Sequence, residues 1–305
     1  MIKPLGTIAA AVLVTATLVP ATAAATTAAS CGLSASSITA AGDHNSVAVV
    51  STTPPRATSA ALGRGAFAPG QVKVMASTMS ILIDQGPDGS EYDVYGYVIV
   101  GDALYQAVYS AHGDGVVNSP PAGLRRIGGG WGKFTMVEEA EYQAPNQGNI
   151  SRWTVYGLRS DGVLFRWTVS SKGVWRSAGS APGFAAVKSM ALVSKAATYD
   201  TFVANTRGGA LYTIHIPTSA PMKPVVKQVR SRTWQGFETL LTQKCGVYGT
   251  VLLGIDKDTD SAYLYAVGRF TGTTTVIQSL GKVPATFADT IYARLKDPGA
   301  PLNGE

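Results

Sequence analysis

Residues 94–109 read VYGYVIVGDALYQAVY: an apolar run, a Gly-Asp step, a Leu-Tyr pair and a second apolar run. Gly and Asp accept the positive φ of a tight turn, so the stretch predicts a β-hairpin. The same form returns as TVYGLRSDGVLFRWTV (154–169), TFVANTRGGALYTIHI (201–216) and TVLLGIDKDTDSAYLYAVG (250–268). Each copy carries an x-Leu-aromatic triplet after its turn: Ala103-Leu104-Tyr105, Val163-Leu164-Phe165, Ala210-Leu211-Tyr212 and Tyr263-Leu264-Tyr265. A fainter hairpin lies upstream in SSITAAGDHNSVAVV, with Asp43-His44-Asn45 expected at its turn.

A second element follows each hairpin, a Phe ahead of another apolar strand. These are Phe67, Phe134, Phe184, Phe237 and Phe287, at intervals of 67, 50, 53 and 50 residues. About four strands in a unit of about 50 residues is the pattern of a β-propeller, in which stacked units bury the faces a single sheet cannot. The reading is therefore an all-β fold, a five-bladed β-propeller of four-stranded antiparallel blades over residues 37–293. A lead-in at 26–36 and a C-terminal tail at 294–305 flank it. A β-sandwich pair is the alternative, but it leaves the recurring triplets and Phe positions unexplained. The longest interval holds DQGPDGSEYD (84–93), read as an exposed, solvated loop whose carboxylates Asp84, Asp88, Glu91 and Asp93 match no calcium-loop spacing.

The first 25 residues carry one early Lys, an apolar run of about 13 residues and A-x-A-like steps, which reads as a secretory signal peptide. The run is short for a membrane span, so no stable membrane insertion is expected. Charged residues are only 14% of the chain, and the formal net charge is +6 with the basic residues scattered. Such a balance is weak support for nucleic-acid binding and reads as a solubility setting that would favour anionic cell surfaces, while the signal peptide implies a secreted, extracellular protein.

The stretch GLRRIGGGWGKFTMV (123–137) is one copy of the repeating Phe element, so a phosphate cradle is not expected, and no cofactor is implied. Its Trp131 has a partial twin in Trp234, each three residues before a Phe, while the other units keep only the Phe. The Phe is thus expected in blade cores. The optional Trp is a candidate contact residue, with inter-blade packing as the alternative.

SPPAGLRRIGGGWGKF after GDALYQAVY resembles the repeat of the tachylectin family. Asp102, Leu104, Tyr105, Pro120, Pro121, Ile127, Gly128, Gly130, Trp131 and Phe134 carry the likeness. It extends over residues 95–140, partly over the fourth unit, and as a skeleton elsewhere. The resemblance implies a five-bladed propeller lectin that binds N-acetylated amino sugars between blades. Where those repeats have an Asn-Trp pair after the Pro-Pro loop, this chain has Ala122-Gly123-Leu124-Arg125, so one or two sites or a changed ligand are expected. The expected glycan site is Trp131 with Gly129, Gly130 and Lys133, the glycines offering backbone N–H groups. Trp234 with Gln235 is a second candidate. A protein partner is the alternative occupant, and a glycan hydrolase the less favoured reading.

Catalysis finds little support. His44, His112 and His215 share no metal-ligand spacing, and no G-x-S-x-G elbow occurs. Glu138, Glu139 and Glu141 form the densest acidic cluster, with 139 and 141 on one strand face, read as a solvated strand edge rather than a hydrolytic pair. His112 and Asp114 read as loop features. Trp167 shares a face with Phe165 and is expected in the core, whereas Trp175 is placed in a loop and more exposed. Cys31 and Cys245 precede the first and fifth turns by similar distances, so a closed ring would bring them together as a disulfide. Two free buried thiols, or lipid on Cys31, are the alternatives.

Overall fold

The computed structural model describes residues 31–83, 91–296 and 299–305. The expected signal peptide at 1–25 and the loop residues 84–90 lie outside them. The regular structure of the described residues is β-strand, apart from one short 3-10 turn at Gly272–Thr274.

Strands β1 (Gly32–Ile38), β2 (His44–Val50) and β3 (Arg56–Gly63) pair in order. Next come β4 (Val72–Met75), β5 (Thr78–Ile83), β6 (Glu91–Val100), β7 (Ala103–His112) and β8 (Gly123–Gly129), with β4 and β5 both paired to β6 as one broken first strand. Three separate four-stranded antiparallel sheets follow. The first contains β9 (Phe134–Tyr142), β10 (Arg152–Arg159), β11 (Leu164–Val169) and β12 (Trp175–Ala181). The second contains β13 (Val187–Lys195), β14 (Tyr199–Thr206), β15 (Leu211–Pro217) and β16 (Val225–Arg230). The third contains β17 (Thr239–Cys245), β18 (Gly249–Asp256), β19 (Ser261–Val267) and β20 (Ile277–Lys282). The last strand, β21 (Ile291–Lys296), returns to pair antiparallel with β1 and makes a short parallel bridge to β5.

The repeating residues explain this regularity. Each predicted hairpin joins the second and third strands of a sheet, and its Leu (104, 164, 211 or 264) is fully buried. All five Phe residues are buried just before or at a first strand. A backbone hydrogen bond ties each hairpin turn to the segment that carries the chain into the next sheet. Phe67 N donates to Gly42 O, Trp131 N to Asp102 O, Phe184 N to Gly162 O, Trp234 N to Gly209 O and Phe287 N to Asp260 O. The first strands touch in cyclic order: β21, the β4–β5 pair, β9, β13, β17 and β21 again. Apolar side chains fill the spaces between neighbouring sheets, as where Leu33 and Val49 meet Leu253 and Leu264.

Where the chain's start meets that third sheet, Cys31 and Cys245 form a disulfide with Cα atoms 5.5 Å apart and a sequence separation of 214. Closing so long a loop removes unfolded-chain entropy worth about 5 kcal/mol as an upper figure.

Several expectations change. Residues 32–36 are not a lead-in but most of β1, because β21 needs a partner there. Of the expected C-terminal tail, residues 294–296 complete β21, and further on Leu302 O accepts from Lys195 N while Gly304 N donates to Val193 O. His44 and Asn45 lie in β2 rather than at the turn, which spans residues 39–43. His44 is fully buried with Nδ1 2.7 Å from Tyr109 Oη, and desolvation pulls its pKa down to about 4. Glu91 and Asp93 belong to β6, and His112 ends β7 beside Glu91.

Glu138, Glu139 and Glu141 reverse the reading of a solvated edge: each is only 2% exposed. β9 is a first strand, so both of its faces are covered. Lys296 Nζ sits 2.8 Å from Glu141 Oε2, and Trp153 Nε1 donates to Glu139 Oε1 at 2.6 Å. Burial first, then the neighbouring Glu141 charge, pushes the Glu139 pKa up to about 8.

Candidate functional site

The stretch 127–134 enters β9 from β8 and builds one wall of a cleft of about 450 Å³ between their two sheets. Asp102, in the β6–β7 turn, holds this loop. Its carboxylate accepts from Gly132 N at 2.7 Å and Gly130 N at 3.2 Å, while its carbonyl accepts from Trp131 N. Gly130 has φ +81°, a conformation that glycine adopts without strain. The Gly130 amide expected to meet a ligand is therefore already used, bonded to Asp102, while Gly129 lies opposite Ala103 in the β7–β8 ladder. Both glycines still line the cleft, where their missing side chains leave it open.

Trp131 is 6% exposed and packs between sheets, its ring 4.5 Å from Phe134 and 4.8 Å from Trp167. It forms the base of the site rather than an exposed platform. The more accessible aromatic surface comes from the next sheet. Phe165 and Trp167, two apart on β11, stack with an interplanar angle of 16°, and Trp175 stands edge-on to Trp131. Trp167 is half-buried, not core, and Trp175 opens β12 rather than lying in a loop. Arg159 and Ser177 supply polar lining. The Arg159 guanidinium lies 4.9 Å from the Phe165 ring centre and pairs with Asp161 at 2.7 Å. The Trp175 indole N–H is buried with no acceptor among the described residues. Lys133 is exposed and does not line the cleft.

This arrangement offers broad π-faces with few hydrogen-bonding groups, which suits a ligand with one apolar ring face and a polar rim. Phe165, Trp167, Trp175, Arg159 and Ser177 were not singled out as contacts from the sequence. The signal for the first two was their i, i+2 spacing on one strand face; for Trp175 and Ser177, nothing local marked the face.

The second candidate is built on the same kind of buried Trp. Trp234, also 6% exposed, packs on Tyr265 at 5.0 Å and Phe237 at 5.6 Å. Asn205 Nδ2 donates to the carbonyls of Trp234 and Phe237, each at 2.7 Å. Gln235 is exposed, but its side chain folds over Gly209 and its carbonyl accepts from Lys188 Nζ. Among the described residues no group of three or more His, Cys, Asp or Glu side chains could hold a metal ion.

No protein-family model matches the chain, and no curated protein does. Solved structures match it at low similarity. A lectin of Aleuria aurantia, described as a six-bladed β-propeller with a novel fucose recognition mode, is 14% identical at a TM-score of 0.46, with 86% of this chain and 80% of that one covered. Xyloglucan PUL GH43B of Bacteroides ovatus is 14% identical at 0.40, over 84% of this chain and 55% of that one. A fructofuranosidase of Schwanniomyces occidentalis is 10% identical at 0.42, over 78% and 57%. At such identities ligand contacts do not transfer from one chain to another.

Proposed function

We propose that this chain is a secreted five-bladed β-propeller that binds a carbohydrate, without transforming it, in the cleft between its second and third blades. β21, β1, β2 and β3 make the first blade, closed by the pairing of β21 with β1. The observation that carries the reading is the aromatic cleft itself, with Trp131 beneath, Trp167 and Trp175 alongside, and Gly129 and Gly130 leaving the entrance free. The C–H face of a pyranose stacks on such rings, and an acetamido methyl adds apolar contact. N-acetylated amino sugars of cell-surface or cell-wall glycans are therefore the ligands of choice. The β9 carboxylates do not favour hydrolysis, since each is buried and Glu139 and Glu141 are held by Trp153 and Lys296.

Calorimetric titration with chito-oligosaccharides tests the reading. Trp175, half-buried on β12, is the variant of choice because Trp131 is structural as well. Trp175→Ala is expected to weaken binding about tenfold, or ~1.4 kcal/mol, with the thermal transition retained. A folded variant with unchanged affinity, or wild-type protein that ignores every glycan on an array, would sink the proposal.

A further inference from the structure

The most exposed large apolar side chains among the described residues are Val276, at 71%, and Val247, at 67%. Val247 and Tyr248, itself 52% exposed, form the tip of the β17–β18 turn, and Val276 closes the β19–β20 connection. Arg269 Cζ lies 5.1 Å from the Tyr248 ring centre and Gly268 N donates to Val276 O at 2.9 Å, so the two connections meet. Both are held in place. Cys245, at the base of the first, is bonded to Cys31 and pairs with Gly249 across the turn. In the second, Arg230 Nη2 of the preceding sheet donates to Thr275 O at 2.7 Å, and Phe270 N to Gly304 O at 2.7 Å. The charge around these tips has one sign. Residues 243–250 and 267–277 contain Lys244 and Arg269 but no Asp or Glu. The carboxylates of this unit, Glu238, Asp256, Asp258 and Asp260, lie at the opposite end of its strands. Glu305, which the Phe270–Gly304 bond brings near, is paired with His215 Nδ1 at 2.6 Å.

We infer that these two tips dock the protein on an anionic lipid surface, with Val247, Tyr248 and Val276 entering the headgroup layer and Lys244 and Arg269 meeting the lipid charges. Turn tips offer no concavity to hold a small ligand. Apolar tips with cationic flanks match the two attractions that hold a peripheral protein on a bilayer, burial of apolar area and attraction to anionic headgroups. Tyrosine suits that interface, having an apolar ring and a polar hydroxyl. The disulfide and the hydrogen bonds fix both connections beforehand, so docking orders little further chain. Other exposed apolar residues lie at the same end of their own sheets: Ile83 closes β5, while Ile150 and Val174 stand just before β10 and β12. The aromatic cleft lies at the other end, beside the Asp102 turn. Docking therefore leaves it uncovered, and the inference is independent of the ligand proposed for it.

Cosedimentation with vesicles tests the inference, using the chain without the expected signal peptide at 1–25, whose apolar run would itself bind lipid. One vesicle set is phosphatidylcholine alone and the other mixes it with phosphatidylglycerol. Binding is expected to the mixed vesicles and not to phosphatidylcholine alone. Val247→Asp alters an exposed tip and is expected to weaken that binding at least about fivefold, through lost burial and added repulsion. Arg269→Gln is expected to weaken it about fivefold. Val108→Asp places the same added charge at an exposed position of β7, in another blade, and is expected to change it by less than about twofold. The inference is overturned if the mixed vesicles do not sediment the protein, or if Arg269→Gln leaves binding unchanged. It is equally overturned if Val247→Asp and Val108→Asp weaken binding alike, since net charge alone would then account for it. A dimer in solution that Val247→Asp dissolves would assign the tips to a second copy and overturn it as well.

Discussion

Two regions of the molecule use the same four-ring plan and end differently. Trp131, Phe134, Phe165 and Trp167 occupy one junction between sheets, and Trp234, Phe237, Tyr263 and Tyr265 the corresponding place at another. In both, a glycine on the second strand seats the Phe. A Cβ on Gly157 would lie 2.8 Å from the Phe134 ring, and one on Gly254 2.7 Å from Phe237. The loops ahead of the rings are held in opposite ways. Asp102 accepts from amides in the first, whereas Asn205 donates to carbonyls in the second. The outer strand differs too: Trp175 pairs with Val169, and Ile277 with Val267. A shared aromatic core is thus the structural constant, and what differs is how the loop and the outer strand around it are held.

The largest effect should be common to both regions. Phe134→Ala and Phe237→Ala are each expected to cost about 3–5 kcal/mol in denaturant unfolding, because each empties a seat shaped by a glycine. A difference beyond about 2 kcal/mol would break the equivalence.

The next contrast is in pH. Glu139 on β9 corresponds in register to Thr242 on β17, through the pairing of Val137 with Gly157 and Leu240 with Gly254. The folded state holds the Glu139 proton up to about pH 8, while the unfolded chain releases it near the ordinary carboxylate value. Between those limits the folded state binds more protons, so stability from this group falls as pH rises. Glu139→Gln should gain on the wild type from about pH 5 to 8. Thr242→Val should show a pH-independent difference, and parallel curves for both variants would remove the contrast.

Smaller effects separate the loop anchors. Asn205 is fully buried and bonds two carbonyls, so Asn205→Ala is expected to cost about 2 kcal/mol or more. Asp102 bonds two amides at an exposed turn, and Asp102→Ala should cost about 1 kcal/mol. Thermal melts of both variants give the order, and its reversal would mean that the first loop is the more rigid. Smallest of all, Gln235→Ala should change stability by less than about 0.5 kcal/mol, as for a surface side chain, and leave chito-oligosaccharide binding unaltered. Weakened binding in that variant would restore the second region as a ligand site.

The hairpins, their buried Leu residues and the five buried Phe residues were legible in the sequence, because a two-residue alternation and a tight turn are local properties. The pairing of Cys31 with Cys245 was legible only once the repeats were placed in a ring. The strand extents at both ends were not, since β1 and β21 stabilise each other across nearly the whole chain. Glu138, Glu139 and Glu141 misled for a related reason. Polar residues on a strand look alike whether they face water or the axis, and their partners Lys296 and Trp153 lie on other strands.

By itself, then, the sequence determined the repeating unit: its hairpins, their turns and the recurring Leu and Phe that each sheet buries, all set by neighbours a few positions apart. Tertiary structure alone decided which aromatic rings line a cleft, which carboxylates lose their water, and which lysines meet at the axis. Lys73, Lys188 and Lys257 share no motif and come from three different units. Their juxtaposition arises from the meeting of the first strands, a geometry set by long-range packing between sheets that no local pattern encodes.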